Sequence, residues 1–209
     1  MTRSNLFRLM LSAALAGTAV QAHAVDVEVE VQNLTRGIYF TPLLVTAHTP
    51  DQSLFNVGEA ASAELQAMAE GGDISGLETA AMAISADMVA NPAGGLLMPT
   101  ASTTATFTTA DTNTALSIVG MLLPTNDGFV GLNSWPIPQE AGTYTVYLNA
   151  YDAGTEANDE IRGGGAPGAP GMPVPPPLED LIGTGGSGVT TTINNAMVHI
   201  HPGNLGDAD

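Results

Sequence analysis

Val25-Asp26-Val27-Glu28-Val29-Glu30-Val31 alternates an apolar residue with an acidic one at every step. Successive side chains of a β-strand point to opposite faces, so this stretch reads as a half-buried strand with valines inward and acids outward. Asn33-Leu34-Thr35-Arg36-Gly37 follows as a turn, and residues 40–47 read as a second strand. Asn33-Leu34-Thr35 also matches the glycosylation acceptor pattern, but its place assigns it to the turn. Further on, residues 104–109, 115–123 and 143–150 are rich in β-branched and aromatic residues, with Asp, Gly and Pro between them. A last strand is expected from residue 189 to about residue 201.

Helix is confined to the first half. Residues 60–70 carry Ser62 as N-cap, Glu64 and Leu65 in the first turn, and Gly71-Gly72 as the stop. The Ala- and Met-rich residues 77–89 are expected to form a second, short helix. Residues 163–177 hold Gly or Pro at nearly every other position and can form neither ladder nor helix, so they read as a surface insertion or linker. Many short strands and an early helix predict an all-β fold, an antiparallel β-sandwich with one or two short helices in the N-terminal half.

Upstream of the valine strand, residues 1–24 have the layout of a signal peptide. Arg3 and Arg8 make a positive start, residues 9–20 form a short apolar run, and Ala22-His23-Ala24 supplies the small-x-small cleavage pattern. That run is too short to span a bilayer, and no later segment of the sequence is long enough. Residues 25–209 are expected to form a single exported domain, secreted and extracellular, with the periplasm as the alternative. Cleavage would leave only Arg36 and Arg162 against 21 acids, a net charge of −19. So acidic a surface repels phosphate backbones and anionic membranes, which excludes nucleic acid as a partner and leaves divalent cations and basic proteins. The chain has no cysteine, so no disulfide supports it in an oxidising space. A core must do so, helped by any ion that binds only the folded state.

Three segments carry a family resemblance. The first runs from Asn33-Leu34-Thr35 through Phe40-Thr41-Pro42 and Thr46-Ala47-His48 to Leu54-Phe55-Asn56-Val57-Gly58 and Glu64-Leu65-Gln66-Ala67-Met68-Ala69-Glu70. The second is Met121-Leu122-Leu123-Pro124-Thr125-Asn126-Asp127-Gly128-Phe129-Val130-Gly131-Leu132, and the third is Tyr151-Asp152-Ala153-Gly154-Thr155-Glu156. In this order they resemble the bacterial form of the spondin domain, the module named for the extracellular-matrix protein F-spondin. The resemblance implies a β-sandwich with a calcium ion (Ca2+) held by acidic loops at one end. Carried over to this sequence, it implies metal ligands at Asp127, Asp152 and Glu156. Glu156 stands where the animal pattern has Asp, which keeps the charge and lengthens the arm by one methylene.

The chemistry of these residues agrees with that implication. Calcium takes six to eight oxygens from carboxylates, carbonyls and water. Asp152 and Glu156 flank Ala153-Gly154, where a Gly turn can fold both carboxylates toward one point, and Asp127 would approach from a neighbouring loop. The plainer reading makes Asn126-Asp127-Gly128 a turn and residues 152–159 a solvated acidic loop. His199 and His201 alternate on the expected last strand, and a second metal site with His48 is one further arrangement. The nine methionines fall largely in apolar runs and read as core filler.

No His-Glu-x-x-His, Gly-x-Ser-x-Gly or phosphate-binding loop occurs. Together these readings predict no enzyme but a secreted calcium-binding module for adhesion, surface or matrix assembly. Its partners would be calcium, a cell-surface or matrix component, or other copies of itself, joined by strand exchange with residues 25–31 as donor. The alternative is a secreted or periplasmic hydrolase whose site one sequence does not reveal.

Overall fold

The computed structural model describes residues 23–181 and 191–204. Most of the expected signal peptide and the glycine run at 183–188 lie outside the described residues. Among these, nine strands follow one another: β1 (Asp26–Gln32), β2 (Tyr39–Phe40), β3 (Leu44–His48), β4 (Asp87–Ala90), β5 (Ser102–Thr108), β6 (Ala115–Leu123), β7 (Gly128–Pro136), β8 (Asn149–Asp152) and β9 (His199–Ile200). Helices α1 (Ala63–Gly71) and α2 (Ser75–Ala83) stand between β3 and β4. The fold is all-β and antiparallel, a sandwich of two sheets with two short helices, as the sequence predicts.

The larger sheet has the order β4-β3-β6-β7-β8-β9, with β2 paired to one end of β6. Its centre is β6, every residue of which is buried. Because side chains alternate along β6, Val119, Met121 and Leu123 enter one core, with Leu65 and Met68 of α1 and Leu77 of α2. Leu116, Ile118 and Leu122 enter the other, on the side of Val31 and Ala105 from the two-stranded sheet β1-β5. The molecule is thus three layers: helices, large sheet, small sheet. Complete burial of a side chain such as Phe129 or Leu44 contributes about 2–3 kcal/mol.

Local chemistry sets the first helix as expected. Ser62 Oγ accepts from Leu65 N at 3.1 Å, and Gly72, at φ 71°, closes the last turn with its N–H on Met68 O at 2.9 Å. Asn33 is wholly buried, and its Nδ2 donates to Ile38 O at 2.8 Å and Leu97 O at 3.1 Å. The acceptor triplet is therefore a structural turn.

Four expectations are corrected. The second strand is divided, since Thr41-Pro42-Leu43 separates β2 from β3. The helix expected at 77–89 ends at Ala83, because residues 87–90 find backbone partners on β3, with Thr46 opposite Met88. Of the strand expected at 143–150, only Asn149 and Ala150 join the ladder, where Asn149 faces Gly131. Of the last strand, residues 189–190 lie outside the described residues, and among the described ones only His199 and Ile200 pair, opposite Asp152 and Tyr151. The Gly- and Pro-rich segment makes no ladder beyond an isolated Arg162–Met172 bridge, yet it lies on the protein, with Met172 buried and Gly168 N donating to the carboxylate of buried Glu70.

Candidate metal centre

Two loops meet at one end of the large sheet. Residues 124–127 join β6 to β7, and residues 153–159 follow β8. They are neighbours because β7 and β8 pair with Gly128 opposite Asp152, and Ala153 N donates to Asp127 O at 3.2 Å. Gly154 lets the segment that leads into β9 pack closely against the second loop. It adopts φ 70°, and a Cβ there would stand 2.7 Å from Asn195 O.

Asp127 is 0 % exposed and Asp152 1 %. Asp127 Oδ2 accepts from Thr155 N at 2.7 Å, Glu156 N at 3.0 Å and Thr155 Oγ1 at 3.3 Å. Its Oδ1 is buried with no partner among the described residues. Burial, together with the charge of Asp152, pushes the Asp127 carboxyl up to about 6, although the N–H groups of Glu156 and Thr155 pull the other way. A carboxylate with one oxygen held and the other bare, beside a second buried carboxylate, suits a cation.

Asp152 Oδ1 accepts from Gly154 N at 2.8 Å, and its Oδ2 accepts from the Asn158 amide. The His199 ring stands 3.7 Å away and donates through Nδ1 to Met197 O at 2.8 Å. Asp152, Glu156, Asn158, Asn195 and His199 share the wall of a cavity of about 220 Å3. Glu156 touches Asp127 through its backbone, while its carboxylate takes hydrogen bonds from Asn126 Nδ2 at 3.1 Å and from Gly171 N. Burial raises the Glu156 carboxyl, and the charges of Glu70 and Asp159 add to this. The structure therefore brings Asp127 and Asp152 together and turns the third acid's carboxylate toward a hydrogen-bonded brace. Among the described residues no three His, Asp or Glu side chains form a ready cage for a metal ion.

The residues that hold this end together include several that sequence reasoning passed over. Asn126, 2 % exposed, donates to Glu156 Oε1 and to Asp159 Oδ1 at 2.9 Å, and accepts from Glu160 N at 3.1 Å. It ties the first loop to the second, and the only sequence sign of this was its place beside Asp127. Asn158 and His199 became visible as neighbours of Asp152 only in the fold.

The three histidines do not converge. His48 is wholly buried at the end of β3, opposite Ala115 at the start of β6, with Nδ1 donating to Thr49 O at 2.9 Å and Nε2 meeting Ser117 Oγ at 2.7 Å. Asp152 and His199 lie at the far end of the sheet, roughly 20 Å along the strands at the usual rise per residue. His201 Nδ1 accepts from Gly203 N at 2.9 Å, and burial pulls the ring below the ordinary histidine value.

Fold and site define a β-sandwich that carries paired acidic loops at one end. Residues 31–170 match the family model described as Spondin_N, well over half of the chain, and the chain belongs to that spondin N-terminal domain family. All three acids fall inside the matched region. The family typically works outside the cell and is not a known enzyme family. No curated protein matches the chain. Among the described residues, no helix is long and apolar enough to cross a membrane.

Proposed function

We propose that the protein is an exported, non-enzymatic calcium-binding module for adhesion or for assembly of surface or matrix material. The observation that carries this reading is Asp127 Oδ1, a buried carboxylate oxygen without a partner among the described residues, beside the equally buried Asp152. Two carboxylates shut away from water repel each other, and a divalent cation relieves that repulsion. Calcium would be held by Asp127 and Asp152, with Glu156 at the wall of the same cavity as Asp152. When bound, the ion neutralises the acids and cross-links the two loops. Sites of this kind suit the outside of a cell, where calcium is plentiful. The signal-like residues 1–24 and the family's extracellular character support export.

Calorimetric titration with calcium, with melting followed in parallel, tests the reading. Calcium is expected to bind and raise the melting temperature, and Asp152→Ala to weaken binding at least tenfold. Melting that ignores calcium, together with undiminished binding by Asp152→Ala, would overturn the site.

A further inference from the structure

At the opposite side of the sandwich β1 has one partner and one open edge. Thr109 N donates to Val25 O and Asn33 N to Ala101 O, both at 2.9 Å. With Val27 opposite Phe107, Val29 opposite Ala105 and Val31 opposite Thr103, the odd-numbered residues of β1 direct their N–H and C=O groups to β5. The backbone groups of Asp26, Glu28, Glu30 and Gln32 therefore point the other way, where no strand pairs among the described residues.

Beside that edge runs a groove of about 1170 Å3, walled by β1, by Leu116 and Ile118 of the large sheet, and by residues 137–148. The far wall is also unfinished. Residues 143–148, Thr-Tyr-Thr-Val-Tyr-Leu, have the composition of a strand but make no backbone hydrogen bond with any described residue. Tyr147 is 78 % and Tyr144 49 % exposed. An open edge, a groove with apolar walls and an unpaired neighbouring segment are the parts needed to seat one added strand.

Charge decides what that strand is. Asp26, Glu28, Glu30 and Glu140 line the groove, and no lysine or arginine does. Residues directly opposite one another on paired strands interact, favourably when oppositely charged and unfavourably when alike. A second copy offering its own β1 would set acid against acid, in a chain of net charge −17. We propose that the open edge of β1 docks an extended segment of a partner protein in which lysine or arginine alternates with apolar residues, added as a third strand to the β1–β5 pair. Its basic side chains meet Asp26, Glu28 and Glu30, and its apolar ones enter the groove beside Val27 and Val29. None of Asp127, Asp152 and Glu156 lines this groove, so failure here leaves the calcium titration unaffected, and the converse holds too.

The test uses a labelled seven-residue peptide alternating Lys and Val, with fluorescence anisotropy as readout. Controls are an alternating Glu and Val peptide and a peptide of the same Lys and Val composition in two blocks. The alternating Lys peptide is expected to bind at least tenfold tighter than either control. Glu28→Pro removes an N–H on the open side only and leaves the β5 ladder intact, a position where edge strands tolerate proline. It should weaken binding at least tenfold with the melting temperature retained; should it unfold the protein, Glu28→Lys with Glu30→Lys replaces it and should weaken binding equally. Equal binding of all peptides, no binding at millimolar concentration, or unchanged affinity in the variants would overturn the proposal. So would sedimentation showing a dimer that the same variants dissolve, since the edge would then belong to a second copy.

Discussion

Asp152 stands opposite Gly128 in the β7–β8 ladder, and this places its charge against Asp127 at a point where both residues are closed to solvent. The pairing makes the acid end of the domain a place where folding and protonation are linked. Asp127 titrates near 6 in the folded chain, against about 3.9 for an unfolded aspartate. Between those values the folded state holds a proton that the unfolded state has released. Its contribution to stability is thus fully present below about pH 4 and lost as pH rises through 6. In chelator, the melting temperature should fall over this window by roughly 5 °C relative to Asp127→Asn, which cannot ionise there. Parallel pH profiles for the two proteins would remove Asp127 as the source.

Asp127→Asn also separates a calcium role from a structural one. The amide keeps an oxygen for the N–H groups of Thr155 and Glu156 and removes the buried charge. In chelator at pH 7.5 the variant should melt higher than the parent, by several degrees. Added calcium should then raise the parent and leave the variant unmoved. A variant that gains as much from calcium as the parent places the ion elsewhere.

Asn126 is the brace between the two loops, donating to Glu156 and Asp159 and accepting from Glu160 N while almost wholly buried. Replacement by alanine leaves these groups to water or to nothing and should cost about 2–3 kcal/mol in urea unfolding. Asn126→Asp should be worse at neutral pH than at pH 4, because it sets a third carboxylate against those of Glu156 and Asp159. Equal cost at both pH values would mean that the loop accommodates the charge.

The fold was legible where one residue period had one interpretation. The valine strand, the capped helix at Ser62 and the largely apolar β6 each carry a pattern that local physics reads alone. β7 was not read as a strand because glycines and serine interrupt its apolar residues, and those glycines answer to distant neighbours: Gly131 lies against Phe55 and Tyr151. Residues 87–90 depended on β3, and residues 143–148 show the reverse case, strand composition without a partner strand among the described residues. At the acid end the sequence resemblance pointed to Asp127, Asp152 and Glu156. It could not foretell that the Glu156 carboxylate would meet Gly171, since that contact depends on how a glycine- and proline-rich segment lies on the surface.

Gly131 offers a test of how the core positions the acid loops. Phe55, Phe129 and Tyr151 form a ring cluster with centroids 5.0–5.4 Å apart, and Tyr151 immediately precedes Asp152. A Cβ at Gly131 would stand 2.8 Å from Phe55 Cζ and 3.0 Å from Tyr151 Cδ2, so Gly131→Ala must displace one ring or both. Overpacking of this kind costs about 1–3 kcal/mol, whereas Phe129→Ala, which empties the centre of the cluster, should cost about 3–5 kcal/mol. Because the clash is with the tip of Phe55, adding Phe55→Leu to Gly131→Ala should recover part of the loss, giving a favourable coupling in the double-mutant cycle. If the strain instead passes through Tyr151, the double variant stays as unstable as the sum of the two singles, and calcium affinity falls with it as Asp152 shifts. Urea unfolding and calcium titration on the same four proteins distinguish the two routes.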